Sequence, residues 1–390
     1  MADINQIRQG LLEVDIAVHS SWKLGKNMVV GWMAGETGIE VCLAPCYRVL
    51  GLATANPRLL NGRRLMDAPT FNEALKVLQV RPLRVALPFR VGADKAKGDV
   101  DPEVIDNVIR RYSIVQTQHR AVMLFDIVGF SKVSMIEQVA QLNSLEYSIN
   151  NAARKLGDVG LDVELARSTV GDGFYVWNRA RGLEADLRTY AALLLILADN
   201  QLAQEAAADD HDLVPKLRAT FAVGSHYSYH QVEGTKPRGF EYIVGDVTIT
   251  LARMIAKAQA GQILVGNFQR PLDPLTQMID AIMFLVRAEK VLAKLEGVVI
   301  GDHPLKQLRS QVTGGKVDGR LMPLVKYQIE DKHGYQHEMF NVRATVQRED
   351  APPLELGLTP EKLGNFQGRV ALYEVPATLN DGPRMVQTAN

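Results

Sequence analysis

The stretch Ala121–Phe125 sets five apolar residues in a row, and the run ends on a lone carboxylate, Asp126, followed by Ile-Val-Gly-Phe-Ser. A continuous apolar run of this length is a strand buried on both faces. The acid that ends it is therefore presented at a sheet edge, where Gly129 lets the chain turn tightly. Taken alone, Asp126 reads as well as the cap of the helix that follows, Val133 to Lys155. Two further stretches bear on it. Arg167–Val176, R-S-T-V-G-D-G-F-Y-V, sets a second acid, Asp172, between glycines that join strand-like segments 162–170 and 174–177. Tyr242–Met254, Y-I-V-G-D-V-T-I-T-L-A-R-M, brings a base, Arg253, onto a helix expected over Thr250 to Ala258. A Gly-Asp turn is common in ordinary hairpins. Two carboxylates at a strand end and a turn can also converge on divalent cations, and hard oxygen ligands suit Mg²⁺ or Mn²⁺.

Lys plus Arg and Asp plus Glu balance at 44 each, so no net charge draws the chain to nucleic acid or to a membrane. Any anion must be handled by a local site. The most apolar window, Ala191 to Ala198, is far short of the ~18 residues of a membrane span, and it lies within a helix expected over Glu184 to Ala208. The opening M-A-D-I-N-Q-I-R-Q-G has no basic region followed by an apolar run, and Cys42 and Cys46 read as thiols. A cytoplasmic protein without a signal peptide is the expectation.

Length sets a prior of two domains for 390 residues. Residues 1–98 read as a small α/β domain, opened by an amphipathic helix to about residue 23 and followed by short apolar runs. Its phrase Tyr47–Asp67, Y-R-V-L-G-L-A-T-A-N-P-R-L-L-N-G-R-R-L-M-D, resembles the middle of a PAS sensor domain. The polar stretch Val91–Asp101 marks a boundary. Asp101-Pro102-Glu103 then starts a connector helix within 99–118, expected to reach about Thr117. The catalytic segment is 119–346. It contains a long helical pattern over Asp273–Glu296, opened by Asp-Pro, and strands Leu324–Glu330 and Glu338–Gln347 around a polar turn, Asp331–Gln336. Residues 347–390 are expected to form a C-terminal extension ending in an unstructured terminus.

The three stretches together resemble the catalytic core of the class III nucleotidyl cyclases, over roughly Arg120 to Val346. The fold implied is α+β, a mixed sheet with helices, ferredoxin-like at its centre. The implied reaction is in-line attack of a ribose 3′-hydroxyl on its own α-phosphate, with pyrophosphate leaving. Two divalent cations, Mn²⁺ or Mg²⁺, activate the hydroxyl and neutralise the leaving phosphates. On this resemblance the metal ligands are Asp126, Asp172 and the backbone carbonyl of Ile127, and Arg253 stabilises charge on the α-phosphate. The family's ribose-orienting asparagine is replaced by Ile249, so either a hydroxyl from Thr248 or Thr250 takes that role or the ribose is positioned in a different way. Lys332 and Lys326 are candidates to grip the triphosphate. The resemblance also implies a homodimer whose two sites are shared across the interface.

The positions that read the base hold Ser168 and Tyr242. Guanine calls for a carboxylate, and adenine for a donor with an acceptor. A small hydroxyl beside a bulky phenol instead suits a narrow pocket for a pyrimidine. Arg167 reaches a base only with the strand register shifted by one. These departures, with D-K-H-G at Asp331–Gly334 and Phe340-Asn341, resemble the bacterial pyrimidine cyclases of Pycsar-type antiphage defence. The expected substrate is UTP, then CTP, and the cyclic product would reach a separate effector. A divergent adenylate cyclase is the alternative enzyme, and a nucleotide-binding module without turnover is the alternative of another class.

Overall fold

A computed structural model describes residues 3–23, 25–94, 99–207, 214–232, 239–272, 277–314, 321–363, 368–374 and 384–388. The chain divides into two compact units, residues 1–118 with 226–244, and residues 119–225 with 245–390.

The first unit opens with α1 (Ile4–Trp22), which buries Gly10, Val14 and Val18 at helical spacing. Strands β1 (Asn27–Ala34), β2 (Gly38–Pro45) and, after helices α2 (Cys46–Ala55) and α3 (Ala68–Leu78), β3 (Leu83–Ala86) form an antiparallel sheet in the order β1-β2-β3. Helices and a three-stranded sheet make this an α/β unit, and its bounds run past residue 98, to 118 with 226–244 added. Within the phrase Tyr47–Asp67, Arg64 is buried and donates to the carbonyls of Val30, Leu60 and Gly62, while Asp67 caps α3 through the Thr70 amide.

The connector differs from expectation. Helix α4 spans Pro102–Ile109, capped by Asp101, and a single turn at Arg110–Tyr112 leads into strand β4 (Ile114–Ile127). Ser113 and Gln116 bridge to Val29 and Asn61 of the first unit, and the β-branched Ile114-Val115 favours extended backbone.

The second unit carries the residues that the sequence singled out, except Tyr242. After β4 come α5 (Met135–Asp158), β5 (Leu165–Thr169), β6 (Gly173–Asn178), α6 (Leu183–Ala206) and β7 (Leu217–Val232). This β-α-β-β-α-β run orders its strands β7-β4-β6-β5, the ferredoxin-like arrangement expected. Strand β8 (Gly239–Val244) pairs with the end of β7, and that hairpin belongs to the first unit. Next follow α7 (Asp246–Ile255), β9 (Ile263–Gly266), the short pair β10 (Gln269–Pro271) and β11 (Met278–Asp280), and α8 (Ala281–Leu292). Helix α8 is capped by Asp280, whose side chain accepts from the Met283 amide. It therefore starts later than the pattern from Asp273 suggested, and residues 273–276 lie outside the described residues.

The sheet is mixed. β9 runs parallel to β7, and the later strands are antiparallel: β12 (Val299–Ile300), β13 (His303–Val312), β14 (Leu321–Glu330), β15 (Gln336–Arg348), β16 (Leu354–Leu356), β17 (Gly368–Glu374) and β18 (Arg384–Thr388). Within the expected C-terminal extension, β16, β17 and β18 thus extend the sheet, and residues 375–383 and 389–390 lie outside the described residues. The alternating V-A-L-Y of β17 satisfies its backbone against β14.

Buried strand β4 is tied to α6 by a charge. Asp186, in the first turn of α6, is 1% exposed and accepts from the Ala121 amide at 2.7 Å and from Arg270. Burial pulls the Arg270 guanidinium down to about 10. Asp186→Ala leaves that guanidinium buried and unpaired, which costs about 3–5 kcal/mol. Urea unfolding of the variant is expected to show a lower midpoint with an unchanged slope.

Candidate functional site

The antiparallel pairing of β4 with β6 sets Asp126 directly opposite Gly173. The Ile127 amide donates to the Asp172 carbonyl at 2.9 Å, so the end of β4 is stitched to the turn that carries the second acid. A Cβ on Gly173 would lie 1.9 Å from the Phe125 carbonyl oxygen, and only glycine permits this approach. Gly171 has φ +90° and the Val170 amide closes on the Gly173 carbonyl at 3.0 Å. That is a two-residue hairpin turn with glycine at its first central position. Both glycines of G-D-G therefore serve to lay Asp172 beside Asp126.

Asp126 is 7% exposed. Its Oδ2 accepts from Arg218 Nε at 2.6 Å, and Arg218 Nη1 donates to the Ala258 carbonyl at 2.8 Å. Burial pushes the Asp126 carboxyl up, Arg218 pulls it back, and the adjoining Asp172 carboxyl pushes it up again; the net direction is up. The sequence reading passed over Arg218. Its signal was a lone cation in the strand L-R-A-T-F-A-V, Leu217–Val223, where an unpaired charge is expensive.

This arrangement fits a divalent cation. Two touching carboxylates disfavour each other's charge, and a dication removes that repulsion more fully than one guanidinium does. Asp126, Asp172 and the Ile127 carbonyl would be the oxygen donors. Among the described residues no cluster of three or more His, Cys, Asp or Glu is placed to hold a metal.

Pairing register sorts the neighbouring residues by face. Ser168 lies opposite Tyr175, and Tyr175 opposite Leu124, so Ser168 shares the sheet face of Asp126. On that face the Tyr175 hydroxyl donates to the Thr248 carbonyl of α7 at 2.9 Å. Arg167 occupies the other face, where it bonds Asn150 and Glu146 of α5. The register is therefore the unshifted one, and Arg167 is engaged away from Asp126. Helix α7 begins at Asp246, earlier than Thr250. The Thr248 hydroxyl is spent on this start, donating to the Gly245 carbonyl at 2.8 Å and accepting from the Gly245 amide at 3.2 Å. Ile249 is 52% exposed, and Thr250 is half-buried.

Arg253 sits in the last turn of α7, its Nε 3.3 Å from Asp331 Oδ2. Asp331 opens the turn between β14 and β15. Burial opposes its ionisation, but the amides of His333 and Tyr335, the His337 ring and Arg253 outweigh it and hold the carboxyl down at about 2. Lys332 is exposed in the same turn, whereas Lys326 is paired with Glu338 at 2.9 Å. Tyr242, in the first unit, stacks on its cross-strand neighbour Tyr229 with ring centroids 5.4 Å apart.

No protein-family model and no curated protein matches the chain. The solved structures it is similar to are nucleotidyl cyclases. The guanylyl cyclase Cya2 has a TM-score of 0.38 at 13% identity, over 58% of this chain and 92% of that one. The guanylate cyclase domain of RhGC from Catenaria anguillulae, in complex with GTP, has a TM-score of 0.35 at 15% identity, over 58% and 97%. The adenylyl cyclase CyaB from P. aeruginosa has a TM-score of 0.36 at 13% identity, over 61% and 99%.

The raised Asp126 carboxyl has a consequence for stability. Above the ordinary carboxylate value of 3.8, the folded state carries a cost for ionising Asp126 that the unfolded chain does not. Stability therefore falls as pH rises through the folded value. Asp126→Asn is expected to unfold at a higher temperature than wild type at neutral pH, with the difference closing as pH drops below about 3.8.

Proposed function

We propose that the chain is a class III nucleotidyl cyclase that converts a pyrimidine nucleoside triphosphate, UTP in preference to CTP, to its 3′,5′-cyclic monophosphate and pyrophosphate. The observation that carries the reading is the pair Asp126 and Asp172, brought together by the β4–β6 register, by Gly173, which admits no side chain, and by the positive φ of Gly171. Asp126, Asp172 and the Ile127 carbonyl would hold divalent cations, Mn²⁺ or Mg²⁺. When bound, these supply activation of the ribose hydroxyl and neutralisation of the leaving phosphates.

The chain's own groups have separable tasks. Arg218 holds the Asp126 carboxylate while it is otherwise uncompensated, and its Nη1 bond to Ala258 keeps the guanidinium beside the acids, where triphosphate oxygens can take it over. Arg253 offers bidentate donation to the α-phosphate as charge builds there. With the Thr248 hydroxyl committed to the helix start, Thr250 is the hydroxyl left to orient the ribose. Ser168 shares the face of Asp126 and reads the base together with Tyr242, whose ring is fixed by Tyr229. Neither side chain brings the carboxylate that guanine requires. Lys332 is the exposed cation for the triphosphate.

We read the assembly as a homodimer with metal acids from one protomer and the base-pocket residues Ser168 and Tyr242, with Arg253, from the other, the N-terminal unit as a PAS-like sensor, and the cyclic product as a signal to an effector in antiphage defence. Exposed Ile249 favours a second reading, a nucleotide-binding module without turnover.

Incubation of the purified protein with each of the four ribonucleoside triphosphates and Mn²⁺, followed by mass analysis, separates the readings. Cyclic UMP is the expected product. Asp126→Ala is expected to lose at least ~100-fold in kcat while remaining folded. Cyclic AMP as sole product would overturn the pyrimidine assignment. Nucleotide binding with no product from any of the four would leave the silent module.

A further inference from the structure

Arg253 is anchored from one side only. Its buried Nε lies 3.3 Å from Asp331 Oδ2, an ion pair without hydrogen-bond geometry, and among the described residues no hydrogen-bond partner is recorded for that nitrogen. The Asp331 side chain is 4% exposed, and its two oxygens are divided between two jobs. Oδ1 accepts from the His333 amide at 2.8 Å and the Tyr335 amide at 3.1 Å, which fixes the turn. That turn is closed further by the Asp331 amide on the Tyr335 carbonyl at 2.9 Å and the Gly334 amide on the Asp331 carbonyl at 3.0 Å, with Gly334 at φ +82°. Oδ2 is left to face the Arg253 guanidinium, with His337 Nε2 also 3.3 Å away.

An exposed ion pair would be free to break and re-form. Here the acceptor cannot rotate, because its other oxygen is held by two backbone amides on a closed turn. A guanidinium held by charge at its Nε side keeps both terminal nitrogens for one ligand. Charge stabilisation of a transition state depends on donors that need no reorganisation at the moment of reaction.

We propose that Asp331 is a positioning residue: it orients Arg253 for the α-phosphate in advance, through Oδ2, from a turn that its own Oδ1 builds. The proposal rests on the cyclase reading above. It also places Lys332, in the same turn, on the rigid element that holds Arg253.

Asp331→Asn isolates the function of one oxygen. Asparagine keeps an Oδ1 acceptor for the two amides and puts a donor where Arg253 needs an acceptor. The expected result is a fall in kcat of about 10–100-fold with KM changed less than about two-fold and a thermal midpoint close to that of wild type. Asp331→Glu should recover part of the loss. Arg253→Ala should lower kcat at least as far, and the double variant should be no slower than Arg253→Ala alone, because the second change then removes nothing further. If Asp331→Asn does not fold, the wild-type protein is read instead. The ¹⁵N-arginine Nε–H signal that disappears in Arg253→Lys should exchange slowly with water, and exchange as fast as free arginine overturns the proposal. Wild-type kcat in Asp331→Asn, or losses that multiply in the double variant, overturn it while leaving the cyclase reading intact. A wild-type protein that forms no cyclic nucleotide overturns both.

Discussion

A carboxylate at the end of a dry strand has to be compensated, and the site is built around that requirement. Asp126 follows five apolar residues into a position where burial resists its charge, and Asp172 lies against it. Placing two acids in contact stores repulsion in the folded protein, and Arg218 offsets only part of it. The close approach is enforced by geometry: the Gly173 contact with the Phe125 carbonyl and the left-handed Gly171 leave the turn nowhere else to go. A chain that spends stability in this way has a site poised for a dication, and the cost is localised to a few residues.

The structure repeats the same device at a second place with the sign reversed. The turn after β14 collects two backbone amides, an imidazole and a guanidinium around one carboxylate, Asp331, so that this acid stays ionised to about pH 2. One acid is held in an environment that resists its charge, the other in one that favours it. The first environment is eased by a neutralising cation, and the second keeps Asp331 an anion beside Arg253.

Much of this was legible in the sequence, for identifiable reasons. Ala121–Phe125 announced a buried strand because no polar residue interrupts it, and the helix expected from Val133 starts at Met135, capped by Ser134. The ferredoxin-like order came from the family resemblance and not from the pattern of elements, and the strand order β7-β4-β6-β5 agrees with it. Helix starts were less legible where two caps compete: Asp280 begins α8, although Asp273-Pro274 carries the stronger local signal. The Thr248 hydroxyl could not be assigned from spacing, because its use at Gly245 depends on where α7 begins. Arg218 and Asp331 were hidden for a different reason. Their meaning comes from residues 92 and 78 positions away, Asp126 and Arg253, which only the folded sheet brings near. The strands at the end of the chain were missed because short segments gain their stability from the pairing partner and not from their own pattern.

The most direct test of the central claim is to count bound Mn²⁺ by electron paramagnetic resonance with a non-hydrolysable UTP analogue present, in wild type and in Asp126→Ala/Asp172→Ala. Saturable uptake by wild type that the double variant loses, with both proteins folded, is the predicted result. Equal Mn²⁺ uptake by the two proteins would contradict the account.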